Sequence, residues 1–140
     1  MNATLIYRIA SVLLVLFAAG HTFGFMRFKP STPEALAVRD AMNNVHFQVR
    51  GADFSYGGFY TGFGVTITVY LLFSAFLAWH LGGLARAHPE AVGVLGWVFV
   101  AVQVAMAVLS WLYFSIAPAV LSVLIALCLA WAAWLVRIPA

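Results

Sequence analysis

Four apolar runs dominate this chain, at about 5–26, 59–79, 92–113 and 119–136. Each is close to the twenty or so residues that a helix needs to cross a hydrocarbon core of about 30 Å. A backbone inside lipid must satisfy its own hydrogen bonds, and an apolar run without strand-like alternation does so as a helix. The charge content agrees, since only 8% of residues are charged where a soluble domain carries about 25%. The expected fold is all-α: a transmembrane four-helix bundle forming one domain over 1–140. Membrane lipids are its first expected partners. The first run also has the layout of a signal peptide, with Arg8 ahead of a short apolar core, but its full length suits a span.

The polar residues are gathered between the first two runs. Residues 20–64 hold Arg27, Lys29, Arg39 and Arg50, three of the four acids, and two of the four histidines. Arg27, Lys29 and Pro30 break the first helix. Thr32-Pro33-Glu34 then reads as a helix start, with a hydroxyl N-cap, proline in the first turn and an acid near the helix's positive end. Gly51 is a plausible stop. The predicted helix over 33–50 is amphipathic, with Leu36, Met42, Val45 and Val49 on one face. It is too short and polar to span, so it is expected at the membrane interface between spans 1 and 2. After the second run, LGGLARAHPE reads as a loop. Ser115-Ile116-Ala117-Pro118 is so short a turn that spans three and four must be antiparallel neighbours. Tyr7, Trp79, Trp97, Trp131 and Trp134 fall toward one membrane face, and Phe23, Tyr56, Tyr60, Trp111 and Tyr113 toward the other, as two aromatic belts. The basic residues divide almost evenly between the faces and leave the orientation open.

In lipid, small and polar residues mark helix–helix contacts. Gly20 and Gly24 form one G-xxx-G pair, and Gly58 and Gly62 form another at similar depth; both are expected to draw the first two spans together. On the third span Gly96, Phe99, Gln103, Ala107 and Ser110 share a face. Gln103 lies near the midplane, where an amide needs a partner, and the Tyr70 hydroxyl is the first candidate. Ser122, Ala126 and Ala133 mark the packed face of the fourth span.

The chemistry-bearing candidates are His21, near the end of the first span, and His46, in the following segment with Asn43, Asn44, Gln48, Asp40 and Asp53 nearby. Histidine serves as acid, base or metal ligand near neutral pH. His80 and His88 belong to the opposite face and cannot join that site. No phosphate-binding loop, dinucleotide fingerprint or zinc-protease motif is present, and the few cations make no nucleic-acid footprint. Cys128 lies inside an apolar run and reads as a packing residue. No cofactor and no metal is expected.

The motif Gly20-His21-Thr22-x-Gly24-Phe25, followed after the long connection by Ser55-Tyr56-x-x-Phe59-Tyr60-x-Gly62-Phe63-Gly64, resembles uncharacterised small four-span bacterial integral membrane proteins. That resemblance implies a multi-pass protein of the cell (inner) membrane and gives weight to the 20–64 stretch; it carries no activity. Three functions are open. The first is binding of a lipid-like or small apolar molecule in an intrabundle pocket at the 20–64 end, with His21, Asn44, His46, Tyr60, Tyr70 and Gln103 as polar anchors. The second is a membrane enzyme using His21 or His46 in acid–base catalysis or metal ligation. The third is an accessory or structural subunit, with a homo-oligomer possible.

Overall fold

A computed structural model describes residues 2–137. The elements run α1 (Ala3–Arg27), α2 (Pro33–Asn44), β1 (His46–Val49), β2 (Ala52–Ser55), α3 (Tyr56–Ala87), α4 (Pro89–Tyr113) and α5 (Ile116–Arg137). Four of the helices, α1, α3, α4 and α5, are long and apolar enough to cross a membrane. The chain is therefore built as a multi-pass membrane protein. Its exposed surface supports this. On α1 the exposed Leu5, Ile9, Val12 and Leu16 are as apolar as the buried Ile6, Ala10 and Leu14, which suits a helix with lipid, not water, on its outer side.

The helix ends follow local rules. Asn2 Oδ1 accepts from Leu5 N at 2.9 Å and caps α1. Thr32 Oγ1 accepts from Ala35 N at 3.2 Å, with Pro33 in the first turn of α2. Ser55 Oγ accepts from Gly58 N at 3.0 Å at the start of α3. Each satisfies a backbone donor that the helix cannot.

Two boundaries differ from expectation. The second span is not 59–79 but extends over Tyr56–Ala87, 32 residues, or about 48 Å at 1.5 Å per residue. The glycines of LGGLARA continue the helix, and it stops only where His88 precedes Pro89, whose ring disfavours helical geometry in the residue before it. The helix expected over 33–50 ends at Asn44. Val45 is extended, and His46–Val49 and Ala52–Ser55 pair as an antiparallel hairpin. The reason is local. HFQV and ADFS alternate polar and apolar, and the connecting Arg50 and Gly51 both have positive φ, 50° and 84°, as a two-residue type I′ turn requires.

The chain divides into two compact units, one from Met1–Phe17 with Leu71–Ala140 and one over Ala18–Tyr70. In the first, α4 and α5 pack as antiparallel neighbours joined by the short turn at Phe114 and Ser115. Tyr7 is wholly buried there, so it is a core residue and not part of an aromatic belt. Two glycines make its room. A Cβ on Gly96 would lie 2.7 Å from the Tyr7 hydroxyl, and one on Gly82 would lie 3.2 Å from Tyr7 Cβ. Ser11 Oγ donates to Ala75 O at 2.7 Å. Arg8 lies over the Trp79 ring at 4.7 Å and Arg137 over Trp97 at 5.0 Å, keeping each cation against an aromatic face. On α5, Ser122, Ala126 and Ala133 are buried as the sequence indicated.

In the second unit, the close-packed glycines are Gly57 and Gly64, not the G-xxx-G pairs. A Cβ on Gly64 would strike the Phe25 ring, and one on Gly57 would strike the Asn43 amide. At Gly20, Gly24 and Gly62 a Cβ would meet nothing within 4 Å, and at Gly58 only Ser55 Oγ at 3.1 Å. The small residues predicted as contacts thus lie on open surface. Gly57 and Gly64 are seven residues apart, two helical turns, so they share a face of α3.

Candidate functional site

The second unit gathers most of the candidate residues. His21 and Thr22, on the last turns of α1, meet α3. His21 Nε2 lies 3.1 Å from Gly64 O, and Thr22 Oγ1 lies 2.9 Å from Thr68 Oγ1 while also donating to Ala18 O at 2.7 Å. A carbonyl can only accept, so Nε2 is the donor. The imidazole also stacks on Phe25 with centroids 5.9 Å apart, and Phe25 touches the Tyr60 ring at 5.4 Å. His21 therefore helps to clamp α1 on α3, and the missing side chain of Gly64 is what admits Phe25.

His46 does not join it. Its Nδ1 lies 2.5 Å from Asp53 Oδ2 across the hairpin, with both side chains about half exposed. The carboxylate orients the ring, but exposed pairs of this kind contribute only about 0–1 kcal/mol. Ser55 sits opposite His46 in the register, yet its hydroxyl already caps α3. Among the described residues, no group of three His, Cys, Asp or Glu side chains could hold a metal ion.

The remaining expected anchors are dispersed. Asn44 Nδ2 donates to Asp40 O at 2.9 Å, within its own helix. Tyr70 is 68% exposed, whereas Gln103 is only 3% exposed and its Nε2 has no partner among the described residues. The tyrosine turns its ring to the surface, where phenol and ring are both accommodated, and not to the buried position that the expected bond requires.

What the second unit does contain is a cavity of about 660 Å³, lined by Phe25, Met26, Phe28, Arg39, Met42 and Tyr60 among others. Asn43, Gly57 and Thr61 complete its polar or open wall. A second groove of about 500 Å³ shares Val38, Met42 and Tyr60 with it and continues along Val45, Phe59 and Phe63. Of the six expected anchors only Tyr60 borders these spaces. The face of α2 turned toward them carries Ala35, Val38 and Met42, at helical spacing, while Leu36 borders neither space. Arg39 is the one charged residue bordering the larger cavity, and among the described residues it is in no ion pair. These residues escaped the sequence reading because Ala35, Val38 and Arg39 look like ordinary helix filler. Their role depends on where α2 lies against the start of α3.

Compared with known protein families, curated proteins and solved structures, the chain matches none.

Proposed function

We propose that the protein binds a lipid-like amphiphile in the second unit, its apolar part along the Phe25–Met42–Tyr60 cavity and an anionic group near Arg39. The observation that carries this reading is the cavity itself: about 660 Å³, mostly apolar, with one cation among its lining residues. Small-molecule sites are typically of this size and character, about 300–1,000 Å³ with few polar groups. In this reading α2 lies in the membrane interface as a cover, and the host is a bacterial inner membrane, as the GHTFGF and SYGGFYTGFG motifs suggest by resemblance.

The test is native mass spectrometry of the protein extracted in mild detergent, on wild type, Val38→Trp and Arg39→Gln. Wild type is expected to retain an amphiphile, Val38→Trp to lose most of it by filling the cavity, and Arg39→Gln to lose preference for anionic headgroups. An identical retained-lipid profile in all three would overturn the proposal.

A specific observation also favours the accessory-subunit reading. Gly20 and Gly24 are exposed, with open space where a Cβ would go, which is the surface that lets two membrane helices approach closely. If a second helix packs there, Gly20→Leu weakens self-association or co-purification; unchanged assembly in a lipid bilayer would count against it. The enzyme alternative has less support, since His21 is engaged by a backbone carbonyl and His46 by an exposed carboxylate.

A further inference from the structure

The β1–β2 hairpin is the part of the chain that spanning helices do not require. Its register sets His46 opposite Ser55, Phe47 opposite Phe54, Gln48 opposite Asp53 and Val49 opposite Ala52. Side chains alternate along a strand, and cross-strand partners share a face. His46, Gln48, Asp53 and Ser55 therefore occupy one face, and Phe47, Val49, Ala52 and Phe54 the other. The division into polar and apolar is complete. The His46–Asp53 contact and the Phe47–Phe54 ring contact at 6.0 Å fall on the faces this predicts.

The apolar face is only partly covered by protein: Phe47 is half-buried, but Val49 is 50% exposed and Phe54 is 46% exposed. A lone two-stranded hairpin is marginal in water, so a partly uncovered apolar face calls for another solvent. The aromatic contacts indicate which one. Phe47 lies 4.9 Å from the Tyr56 ring and 5.7 Å, edge to face, from Phe59, and Phe59 meets Phe63 at 4.8 Å. Phe59 and Phe63 are exposed on α3, a helix long and apolar enough to cross a membrane. The row of rings thus runs without a break from the exposed apolar surface of that helix onto the apolar face of the hairpin. At the tip stands Arg50, with no ion pair among the described residues.

We propose that this hairpin is an interfacial anchor. Its Phe47–Val49–Ala52–Phe54 face lies in the boundary between headgroups and acyl chains, Arg50 reaches lipid phosphates, and the His46–Asp53 face is turned to water. Aromatic rings at headgroup depth and a cation near anionic phosphates are both favoured there. This inference concerns the hairpin alone and does not depend on the cavity being occupied.

The test uses the full chain with Cys128→Ser as background, in nanodiscs of phosphatidylcholine with phosphatidylglycerol. Val49→Cys, Phe54→Cys and Gln48→Cys each receive a nitroxide label, and collision with oxygen, which concentrates in lipid, is compared with collision with a water-soluble nickel complex. The oxygen-to-nickel ratio is expected to be several-fold higher at 49 and 54 than at 48. Equal ratios at the three sites, or nickel preference at 54, would overturn the proposal. So would spin–spin broadening at 54 that disappears on dilution with unlabelled protein, since a second copy would then cover that face. Arg50→Glu should lower the ratio at 54 in these anionic discs; no change would remove Arg50 from the contact.

Discussion

The two compact units contain similar kinds of residue but arrange them differently. In the unit formed by the start of α1, the end of α3, α4 and α5, large side chains are wholly buried: Tyr7, Leu14, Leu81, Ile125 and Leu129. In the unit over Ala18–Tyr70 the only buried apolar side chain is Ala18, and the bulk is carried by exposed or half-exposed rings around open cavities. Four long helix segments can surround a common axis and fill it. Two helix segments, a twelve-residue helix and a hairpin cannot. The first unit resembles a core, the second a surface with recesses, and stored polar groups differ accordingly. Tyr7, Gln103 and Ser122 are buried in the first with Oη, Nε2 and Oγ unpartnered among the described residues. In the second, His21, Thr22 and Thr68 are all bonded.

The largest effect should come from Gly96→Leu. Its side chain would enter the space of the Tyr7 hydroxyl and of Ala133 Cβ, and overpacking of this kind costs about 1–3 kcal/mol or more. A thermal melt in detergent would show a large loss, whereas an unaltered melt would mean that the first unit is not tightly filled. Next is Gly64→Val, which displaces Phe25 and with it the His21 stack. A loss of about 1–3 kcal/mol is expected, smaller than at Gly96 because Phe25 can swing outward.

Gln103→Leu tests the opposite sign. Removing a buried amide that lacks a partner is expected to be neutral or to stabilise by up to about 1–3 kcal/mol. His21→Ala, which breaks a bond that is made, should destabilise by about 0.5–1.5 kcal/mol. If Gln103→Leu is the worse of the two in the same unfolding assay, the amide has a partner such as internal water, and the contrast between the units narrows. The smallest effect belongs to Gly62→Ala. With nothing within 4 Å of the added methyl, it should stabilise α3 slightly, by about 0.5–1 kcal/mol from helix propensity. A clear loss of stability in that melt would restore the glycine to a packed interface.

Much of the fold was legible in the sequence because it depends on composition and local spacing. The four spans, the Thr32 cap, the buried face of α4 through Gly96, Phe99, Gln103 and Ser110, and the antiparallel α4–α5 pair all follow from apolar length, capping chemistry and a short turn. The hairpin was hidden inside a helix-like period: Leu36, Met42, Val45 and Val49 can be placed on one helical face, and the alternation of HFQV and ADFS is only four residues long. The site was less legible. His21 was identifiable as a polar group within a span, but its bond to Gly64 O requires knowing which turn of α3 lies beside it. Glycine spacing suggested the wrong pairs because G-xxx-G shows that a backbone could be approached closely, not that it is.

By itself the sequence determined that four helices are long and apolar enough to cross a membrane, since runs of this length and composition leave the backbone few other options. Only the tertiary structure decided which small residues are contacts, which ring is core, and that Ala35, Val38 and Arg39 border a cavity. Those outcomes depend on helix rotation and register. In a chain that is apolar on nearly every face, hydrophobic pattern does not fix rotation; the shape of particular side chains, Phe25 against Gly64 and Tyr7 against Gly96, does.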